Sequence, residues 1–421
     1  MKKKLIILIN PIKLHETFCQ KVIKAGFNLI ACYSFSPHNY IFIDPCYFDH
    51  IQKLTFNLES DLKEIHNLIK NHHLICVIPG FETDFEYSEK VAYALCPEAA
   101  NNPNNSFLRF DKFEMNQALK AADLYSIPQV LISANNYANL EEINQLKFPV
   151  IVKPSFEAAG SLGVKSCRDY GEVKSHIEQL QNNFCLNSSP KKINIVVQEQ
   201  IEGVEYFVDS VSMAGKHYIV AIYKYEKIRL NGLVIYRYGE IVSFNEPQKE
   251  ICYDFGLKVL DTLKLKFGFA HTEFMVNSIN EPYLMELNPR LSGLAGQFNK
   301  LSQDILGYDQ TDVFLCLLQN QDLNDVLLNR KQKSKKHGRV IFLFAWQEKI
   351  FNGFNKRILE KIKSNQVYFH LFKQEGDCLE PPKSLLDIVM TITLVDEEMA
   401  NIIADTNYLQ ELEEEGKLFN D

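Results

Sequence analysis

Residues 271–290 read HTEFMVNSINEPYLMELNPR, and this stretch is the most informative part of the sequence for predicting the fold. Two apolar runs, 269–277 and 281–287, are separated by a short polar turn and predict an antiparallel hairpin. Side chains of a strand alternate between its two faces, so the polar residues of each run share one face and the apolar residues face a core. The stretch therefore predicts a sheet with an acidic face.

The acidic face of this hairpin carries a set of oxygen ligands. Glu286 and Asn288 share a face, and Glu273 can aim its carboxylate at the same point from across the hairpin. Two carboxylates and an amide oxygen suit a Mg²⁺ ion that also holds phosphates. Arg290 adds a permanent positive charge for a phosphoryl group in transfer. A surface strand with alternating acids is the alternative, but it leaves Asn-Pro-Arg after the strand unexplained.

A lysine and a glycine-bearing loop form the second feature. Lys153 ends the apolar run 148–154, and a buried lysine is costly unless it meets a negative charge. Residues 160–164, GSLGV, can bring several backbone N–H groups onto phosphate oxygens. They do not form a Walker A loop, because no Gly-Lys-Ser/Thr follows. A lysine that reaches water beside an ordinary turn is the alternative.

The third feature is the segment 196–206, VVQEQIEGVEY. It predicts a strand that ends in a polar hinge, which can offer hydrogen-bonding groups to an adenine edge. Glu205 follows closely and can accept hydrogen bonds from ribose hydroxyls. An ordinary strand–turn–strand with solvated acids is the alternative reading.

The first hundred residues alternate apolar strands and helices, which predicts a parallel sheet with helices on its faces. No Gly-x-Gly-x-x-Gly follows the first strand, so a dinucleotide site has no support. The polar stretch 101–106 predicts a boundary or a long surface loop. Asp111 and Glu114 predict a capping box at a helix start. Residues 193–225 predict antiparallel strands around a turn at 214–216.

Two charged runs lie nearer the C-terminus. The basic run Arg330 to Arg339 predicts a solvated connection between domains, and it would indicate nucleic-acid contact only if it folded into a patch. The acidic run Glu411 to Glu415 predicts a solvated helix end.

Composition excludes several classes of protein. The 421 residues are 46% hydrophobic and 23% charged, which is typical of a soluble globular protein of several domains. The net charge of −8 argues against a nucleic-acid binder. The ten cysteines include no CxxC pair, so zinc-ribbon and thioredoxin-like sites have no support, and we expect reduced, mostly buried thiols. No apolar stretch approaches the ~20 residues of a membrane span, and the first apolar run is shorter than the ~7–15 residues of a signal peptide. These features predict a cytoplasmic protein without membrane contact.

Taken in chain order (148–164, 196–206 and 271–290), the three features resemble the ATP-grasp ligases over roughly residues 75–320. The resemblance implies the ATP-grasp fold, of mixed α/β and α+β class, with a Rossmann-like N-terminal domain and a small C-terminal α/β segment. It implies four parts: a Rossmann-like domain (1–108), a lid subdomain (109–205), a catalytic subdomain (206–325) and the C-terminal segment (338–421).

The resemblance also implies roles for individual residues, and ATP and Mg²⁺ as cofactors, with Mn²⁺ a possible substitute. The family usually has a glutamate where this chain has Gln198, whose amide oxygen can still accept from the adenine amino group. The residues that the resemblance implies for the phosphates are Lys112, Lys153 and the loop with Gly160, Ser161 and Gly163. For the nucleoside it implies Gln198, Glu199 and Ile201 around adenine and Glu205 on ribose. It implies Glu273, Glu286 and Asn288 as metal ligands and Arg290 as the catalytic arginine.

Within that family the chain looks most like bacterial L-amino-acid ligases and carnosine-synthase-like enzymes, through the motif at 271–273, the early 80–82 (GFE), and the stretch 223–232. The resemblance implies an enzyme that joins a small-molecule carboxylate to an amine, such as two amino acids, through an acyl phosphate, and a possible homodimer. His271 would then orient the acyl phosphate or the amine, unless it is a core histidine bound by backbone groups. A carboxylase of the biotin-carboxylase or purine-pathway type, and a silent nucleotide-binding protein, are the alternatives.

Overall fold

The computed structural model of this chain describes most of its length. The described ranges are 2–34, 43–80, 85–134, 138–156, 162–183, 185–186, 189–190, 193–230, 233–243, 246–324 and 335–420. Within them the strands form a parallel sheet, a four-stranded antiparallel sheet, an eight-stranded antiparallel sheet and two short ribbons. This mixture of parallel and antiparallel sheets with helices agrees with the predicted α/β and α+β class.

The N-terminal sheet is parallel, as the alternation of strands and helices predicted. Its strand order is β3-β2-β1-β4, with α1 packed on one face and α2 and α3 on the other. The third strand was missing from the sequence prediction because three of its four residues, HIQK, are polar and the strand is mostly exposed at the sheet edge. The elements are β1 (Lys3–Ile9), α1 (Glu16–Lys24), β2 (Asn28–Tyr33), β3 (His50–Lys53), α2 (Leu58–Ile69), β4 (His72–Pro79) and α3 (Phe85–Leu95).

The polar stretch 101–106, for which a boundary or a long surface loop was predicted, is buried at Asn101 and Ser106 and exposed at Asn102 and Asn104. Asn101 is buried, and its Oδ1 accepts hydrogen bonds from the backbone N–H groups of Lys266 (2.8 Å) and Phe267 (2.9 Å). Asparagine is common in turns because its side chain hydrogen-bonds backbone groups, and here it does so across two domains. The same polar residues that predicted a loop therefore join the N-terminal sheet to the rest of the chain.

A buried ion pair lies beside this connection. Arg109 is fully buried, and its Nε and Nη2 donate to both carboxylate oxygens of Glu89 on α3, at 2.9 and 2.6 Å. Its Nη1 donates to the carbonyl oxygen of Leu263 at 3.1 Å. Because the guanidinium is bonded to both a carboxylate and carbonyl groups, its burial is compensated.

A four-stranded antiparallel sheet, which we call the lid sheet, has its own hydrophobic core. It consists of β5 (Gln129–Ile132), β6 (Val150–Pro154), β7 (Lys165–Cys167) and β10 (Ile195–Glu199), in the order β5-β10-β6-β7. Helix α5 (Tyr170–Asn183) packs on this sheet, and β8 (Cys185–Leu186) and β9 (Ser189–Pro190) form a ribbon.

Helix α4 (Lys112–Ala121) begins behind the predicted N-cap. The Asp111 carboxylate accepts from the N–H groups of Phe113 (2.9 Å) and Glu114 (3.2 Å). The predicted return bond from Glu114 is absent within the described residues, because the N–H of Asp111 donates to the carbonyl of Phe107. Half of the predicted capping box is therefore formed, and it places Lys112 in the first turn.

The eight-stranded antiparallel sheet contains the acidic hairpin, and we call it the catalytic sheet after the subdomain predicted from the sequence. Its strand order is β15-β14-β11-β12-β13-β16-β20-β18. The turn predicted at 214–216 joins β11 and β12, and the predicted hairpin is formed by β14 and β15. The elements are β11 (Val204–Met213), β12 (Lys216–Leu230), β13 (Leu233–Ile241), α6 (Gln248–Thr262), β14 (Gly268–Val276), β15 (Pro282–Asn288), α7 (Gln297–Leu306) and α8 (Gln310–Leu318).

The C-terminal strands extend this same sheet. Strand β16 pairs with β13 through three residue pairs, and β20 lies between β16 and β18. The elements are β16 (His337–Leu343), β17 (Lys349–Ile350), β18 (Gln366–Leu371), β19 (Cys378–Leu379), β20 (Met390–Asp396) and α9 (Met399–Glu414), with β17 and β19 paired as a ribbon.

The end of the basic run Arg330 to Arg339 is not a solvated connection. Arg339 lies in β16, is buried, and its Nε donates to Oε2 of Glu240 at 2.5 Å. Its guanidinium also stacks on the ring of Tyr238 at 4.2 Å. The charge is buried because an opposite charge and an aromatic ring compensate for the lost water. Residues 330–334 lie outside the described residues.

The acidic run Glu411 to Glu415 is likewise only partly solvated. Glu413 on α9 is 2% exposed, and its carboxylate lies 2.7 Å from Nη1 of Arg237 and accepts from the N–H of Phe344 at 2.6 Å. Burial raises the pKa of Glu413 to about 7, against the opposing charge of Arg237. This residue therefore attaches α9 to the catalytic sheet.

Two further expectations concern the whole chain. In the part that the structure describes, no helix is both long and apolar enough to span a membrane. Nine cysteine side chains are described, and all nine are free thiols, six of them buried.

Candidate active site

The acidic hairpin places two carboxylates directly opposite each other. In the register of β14 and β15, Glu273 pairs with Glu286, and His271 pairs with Asn288. Directly opposite residues of an antiparallel pair have Cβ atoms about 4.5–5.5 Å apart. The structure therefore brings the three predicted metal ligands together on one face of the catalytic sheet.

Glu286 is linked to the predicted phosphate-binding lysine. Its Oε2 lies 2.9 Å from Nζ of Lys112, and its Oε1 accepts a hydrogen bond from Nδ2 of Asn288 at 3.0 Å. Burial acts to raise the pKa of Glu286, but the charge of Lys112 and these hydrogen bonds outweigh it and lower the pKa to about 2. The carboxylate is therefore ionised at neutral pH.

His271 lies between two carboxylates. Its Nδ1 is 2.9 Å from Oδ1 of Asp209, its Nε2 is 3.0 Å from Oε1 of Glu273, and its ring packs on Phe207 with centroids 4.6 Å apart. Burial acts to lower the pKa of His271, but the hydrogen bonds and charges of both carboxylates raise it to about 9. The ring is thus bound by side chains, not by the backbone groups of the alternative interpretation, and it orients Glu273. Whether His271 also contacts substrate stays a prediction.

Asp209 was missed by the sequence analysis. It is 1% exposed, lies on β11 opposite His271, and has one carboxylate oxygen, Oδ2, without a hydrogen-bond partner. Alternation along β11 puts Glu205, Phe207 and Asp209 on one face, and that pattern was the available signal. The pairing of β11 with β14 makes Asp209 a partner of His271. This pairing could not be predicted from the sequence of either segment alone.

Lys153 is buried and forms no direct ion pair within the described part of the chain. It lies on β6, is 4% exposed, and has no carboxylate within ion-pair distance among the residues that the structure describes. Burial and the charge of Lys112 lower the pKa of Lys153 to about 8, while Glu286, Glu205 and Glu273 act in the opposite direction. A buried amine of this kind favours an anionic ligand.

The predicted phosphate loop is only partly described. Gly160 and Ser161 lie outside the described residues, as do residues 81 and 82 of the early GFE motif and 231–232 of the later stretch. Gly163 has a φ of +75°, which favours glycine, and its carbonyl lies 2.9 Å from Nε2 of His176 on α5. The described end of the loop is therefore anchored to the lid.

Gln198 presents an unused hydrogen-bond acceptor. Nε2 of Gln129 donates to the carbonyl of Phe113 at 2.9 Å, so Oε1 of Gln129 accepts from Nε2 of Gln198 at 2.8 Å. This chain of bonds fixes the orientation of the Gln198 amide. Its Oε1 is buried and has no hydrogen-bond partner among the residues that the structure describes. An exocyclic amino group is the kind of donor that would satisfy it.

The other two hinge residues have different surroundings. Oε1 of Glu199 accepts a hydrogen bond from the backbone N–H of Lys147 at 2.8 Å, and its own N–H donates to the carbonyl of Pro128. Its side chain therefore holds the segment before β6 rather than facing Gln198. Ile201 is partly exposed directly after β10.

Glu205 is bonded to two residues that the sequence analysis did not assign. Its Oε2 forms an ion pair with Nζ of Lys227, and its Oε1 accepts from the hydroxyl of Tyr236 at 3.0 Å. Lys227 also lies over the ring of Tyr236, 4.9 Å from its centroid. Lys227 thus brings another cation to the face that carries the metal ligands.

Arg290 follows the end of β15. Its Nη1 donates to the carbonyl of Leu291 at 3.0 Å, and its side chain is partly buried. The pKa of His15, near the start of the chain, is lowered to about 4 by burial and by the positive charge of Arg290. Arg290 therefore lies where the N-terminal domain meets the catalytic sheet.

A comparison with protein families agrees with this arrangement. Residues 110–294 match the family model described as an ATP-grasp domain. That range contains the lid sheet, the acidic hairpin and every site residue that the sequence analysis predicted. Over residues 110–294, therefore, this chain is similar to an ATP-grasp domain.

Individual relatives were found by sequence and by structure. Dapdiamide A synthase from Enterobacter agglomerans is 22% identical over 252 residues, which are 60% of this chain and 58% of that protein, so the chain spans less than two thirds of this relative. The L-amino acid ligase from Bacillus licheniformis has a TM-score of 0.78 at 16% identity, covering 98% of both chains. N5-carboxyaminoimidazole synthetase from Staphylococcus aureus, complexed with ADP, has a TM-score of 0.68 at 16% identity, covering 96% of both chains. The structural similarity confirms the predicted ATP-grasp fold.

The ligand set of this ATP-grasp domain fits a magnesium ion. Glu273 and Glu286 are like charges facing each other, and burial together with the charge of Glu286 raises the pKa of Glu273, against the opposing effect of His271. A divalent cation would relieve this repulsion between the two carboxylates. The side-chain amide oxygen of Asn288 would complete the set of oxygen ligands. Among the described residues no group of three His, Cys, Asp or Glu side chains has metal-binding geometry, so phosphate oxygens or water would have to supply the remaining ligands.

Replacing Lys153 tests the phosphate site of the ATP-grasp domain. Lys153→Met keeps the apolar stem and removes the charge, so the Kd for ATP should rise by about 5- to 150-fold, the range of one charge-assisted hydrogen bond. The charged amine is the binding form, so wild-type affinity should fall as pH rises above about 8, by up to ~10-fold per pH unit. Titration calorimetry at several pH values measures both effects.

The exposed Lys174 on α5 provides the control. Lys174→Met should leave the ATP affinity and its pH dependence unchanged. If Lys153→Met binds ATP as tightly as wild type, Lys153 does not bind phosphate, and the alternative interpretation, a lysine that only reaches water, is correct.

Proposed function

We propose that this chain is an ATP- and Mg²⁺-dependent carboxylate–amine ligase, which forms an amide bond such as that of a dipeptide. The observation that carries the proposal is the pair Glu273 and Glu286, with the positive charges of Lys112 and Lys153 acting on Glu286 and with Arg290 close behind the strand that carries it. The names of two relatives, dapdiamide A synthase and an L-amino acid ligase, support this reaction class. Both substrates would be small molecules, and amino acids are the first to test.

In the proposed reaction an oxygen of the substrate carboxylate attacks the γ-phosphorus of ATP. The bond to the β-phosphate oxygen breaks, ADP leaves, and an acyl phosphate remains. The amine then attacks the acyl carbon, and phosphate leaves as the amide forms. The protein contributes positioning and charge neutralisation, the usual sources of catalysis in phosphoryl transfer.

Each site residue has a role in this scheme. Lys112 and Lys153 bind phosphate oxygens, and Arg290 neutralises the charge that moves during transfer. Glu273 and Glu286, with Asn288, would hold the metal. When bound, Mg²⁺, or Mn²⁺ in its place, supplies further neutralisation of the phosphates.

The nucleoside part of ATP would bind between the two antiparallel sheets. The free Oε1 of Gln198 accepts from the amino group of adenine, which would satisfy a buried acceptor. Glu205 accepts from ribose hydroxyls, since each carboxylate oxygen can accept more than one hydrogen bond. Its contacts with Lys227 and Tyr236 hold it ready for this role.

Product analysis tests the proposed function directly. The protein is incubated with ATP, Mg²⁺ and all twenty amino acids, and in parallel with bicarbonate, while phosphate release and products are followed by mass spectrometry. ATP hydrolysis should be slow alone and rise with the right amino acids, with one phosphate released per amide. If the only product is a carboxylated one, formed with bicarbonate, the protein is a carboxylase instead. If no amine gives a product, the remaining interpretation is a nucleotide-binding protein without catalytic activity.

Replacing Arg290 separates chemistry from nucleotide binding. Arg290→Lys keeps a positive charge but loses the planar fork of the guanidinium, so kcat should fall about 10- to 100-fold with less change in ATP affinity. Arg229→Lys, at an exposed ion pair on β12, is the matched control and should retain wild-type kinetics. A parallel loss of kcat and ATP affinity in Arg290→Lys would make Arg290 a nucleotide-binding residue instead.

The assembly of the enzyme stays a prediction. We expect a homodimer, and sedimentation of the purified protein at several concentrations measures its mass in solution.

A further inference from the structure

Tyr225 lies at the centre of the catalytic sheet face. In the register of the sheet it is opposite Glu205 on β11 and opposite Gly239 on β13. Its side chain packs on Phe207 with ring centroids 4.6 Å apart, and edge-to-face on Tyr236 at 4.8 Å. The residue is 8% exposed. It therefore shares a sheet face with Glu205, one of the residues that would bind ATP.

The position of this ring is fixed by its surroundings. A Cβ atom at Gly239 would lie 2.5 Å from Cζ of Phe298 and 3.4 Å from Cε1 of Tyr225, so a side chain there would displace Phe298. Phe298 therefore occupies the space above the glycine, with its ring centroid 6.1 Å from that of Tyr225. Phe342 lies at 6.2 Å. Because these rings surround it, Tyr225 has little freedom to turn its hydroxyl elsewhere.

The hydroxyl of Tyr225 differs from those of its two tyrosine neighbours. Tyr223 donates to the carbonyl of Phe298 at 2.8 Å, and Tyr236 donates to Glu205 at 3.0 Å. Among the described residues the Tyr225 hydroxyl forms no hydrogen bond, and the residue as a whole keeps 8% of its surface exposed. It is thus a donor without a use in the protein itself.

The charges of the site act on this hydroxyl. Burial raises the pKa of Tyr225 well above its ordinary value, the carboxylates of Glu273, Glu205 and Asp209 raise it further, and Arg290 acts in the opposite direction. The phenol therefore remains protonated at neutral pH. It can donate a hydrogen bond to an anion but cannot add a charge of its own.

We propose that Tyr225 donates a hydrogen bond to an anionic phosphoryl oxygen of the bound reactants. The oxygen belongs either to a phosphate of ATP or to the phosphoryl group of the acyl phosphate. The proposal rests on the proposed function, which supplies both reactants. An O–H donor aimed at a charged oxygen makes a short, strong bond, and the rigid aromatic packing holds it in place before the reactants arrive.

The test compares Tyr225→Phe with Tyr223→Phe. The two residues lie on the same face of the same strand, and each substitution removes only a hydroxyl. For each variant we would measure the Tm, the affinity for Mg²⁺ with a non-hydrolysable ATP analogue by calorimetry, and the kcat and KM of amino-acid-dependent phosphate release. Tyr223→Phe should lower the Tm, because its bond to Phe298 is lost, and keep wild-type kinetics.

Tyr225→Phe should keep the wild-type Tm and lose about 10- to 100-fold in kcat or in analogue affinity, the range of one hydrogen bond to a charged group. A loss in kcat alone assigns the oxygen to the acyl phosphate, and a matching loss in analogue affinity assigns it to ATP. Kinetics and affinity within about twofold of wild type would overturn the proposal. If the wild-type protein releases no phosphate with any substrate, the proposed function fails, and the analogue affinities alone decide the role of Tyr225.

Discussion

Glu286→Gln is expected to lower kcat by about 100-fold or more, which is the scale of losing one charged group that stabilises a phosphoryl-transfer site. The amide keeps the shape of the side chain and can still accept from Nδ2 of Asn288, but it loses its charge and its ion pair with Lys112. The Tm should stay close to that of wild type, because the loss of the ion pair with Lys112 is offset by the loss of repulsion between Glu286 and Glu273. Amino-acid-dependent phosphate release and thermal unfolding measure the two effects.

Glu281 provides a control in the same hairpin. Its carboxylate accepts from Asn277 and Tyr283, both at 2.9 Å, and does not face Glu273. Glu281→Gln should therefore retain wild-type kcat. If Glu286→Gln also retains most of its phosphate release, the assignment of Glu286 as a metal ligand is wrong.

Arg109→Met is expected to lower the free energy of unfolding by about 3–5 kcal/mol, the cost of leaving one partner of a buried ion pair without the other. The variant leaves the carboxylate of Glu89 in the interior with neither of its two bonds to the guanidinium. Burial raises the pKa of Glu89, and Arg109 opposes this effect. Without the arginine, the folded state should bind a proton more readily, so the loss of stability should shrink as pH falls.

Urea unfolding at neutral and mildly acidic pH measures this dependence. Arg168→Met is the control, since that arginine is 83% exposed in its pair with Glu172, and its loss should leave the unfolding free energy nearly unchanged. Equal stability of Arg109→Met and wild type would mean that water reaches Glu89 in solution.

Most of the fold and the chemical types in the site could be predicted from the sequence. The alternation at Glu286 and Asn288 sets which face each side chain occupies, because a strand has a fixed period of two. The apolar run before Lys153 predicted its burial for the same kind of local reason. Both depend only on neighbouring residues, and the structure places both as expected.

The partners of these residues could not be predicted, because they come from distant segments. Asp209 meets His271 across 62 residues, and Gln198 meets Gln129 across 69. The register of two strands decides such contacts, and a shift by one residue would turn every side chain to the other face. Burial of Arg109 was hidden for a related reason, since a charged residue after a polar stretch reads as solvated unless its partner is known.

The catalytic sheet is assembled out of chain order, and this has a consequence for how the protein folds. Strand β16 pairs with β13 through residues 99 positions apart, and β20 fits between β16 and β18. Closing such long loops costs chain entropy and slows folding. During synthesis one edge of β13 stays unpaired until the residues of β16 have been made. Unpaired strand edges are sites of aggregation. We therefore expect the sheet to be completed only late in synthesis, and its edge at β13 to be open to wrong pairing until the C-terminal strands have been made.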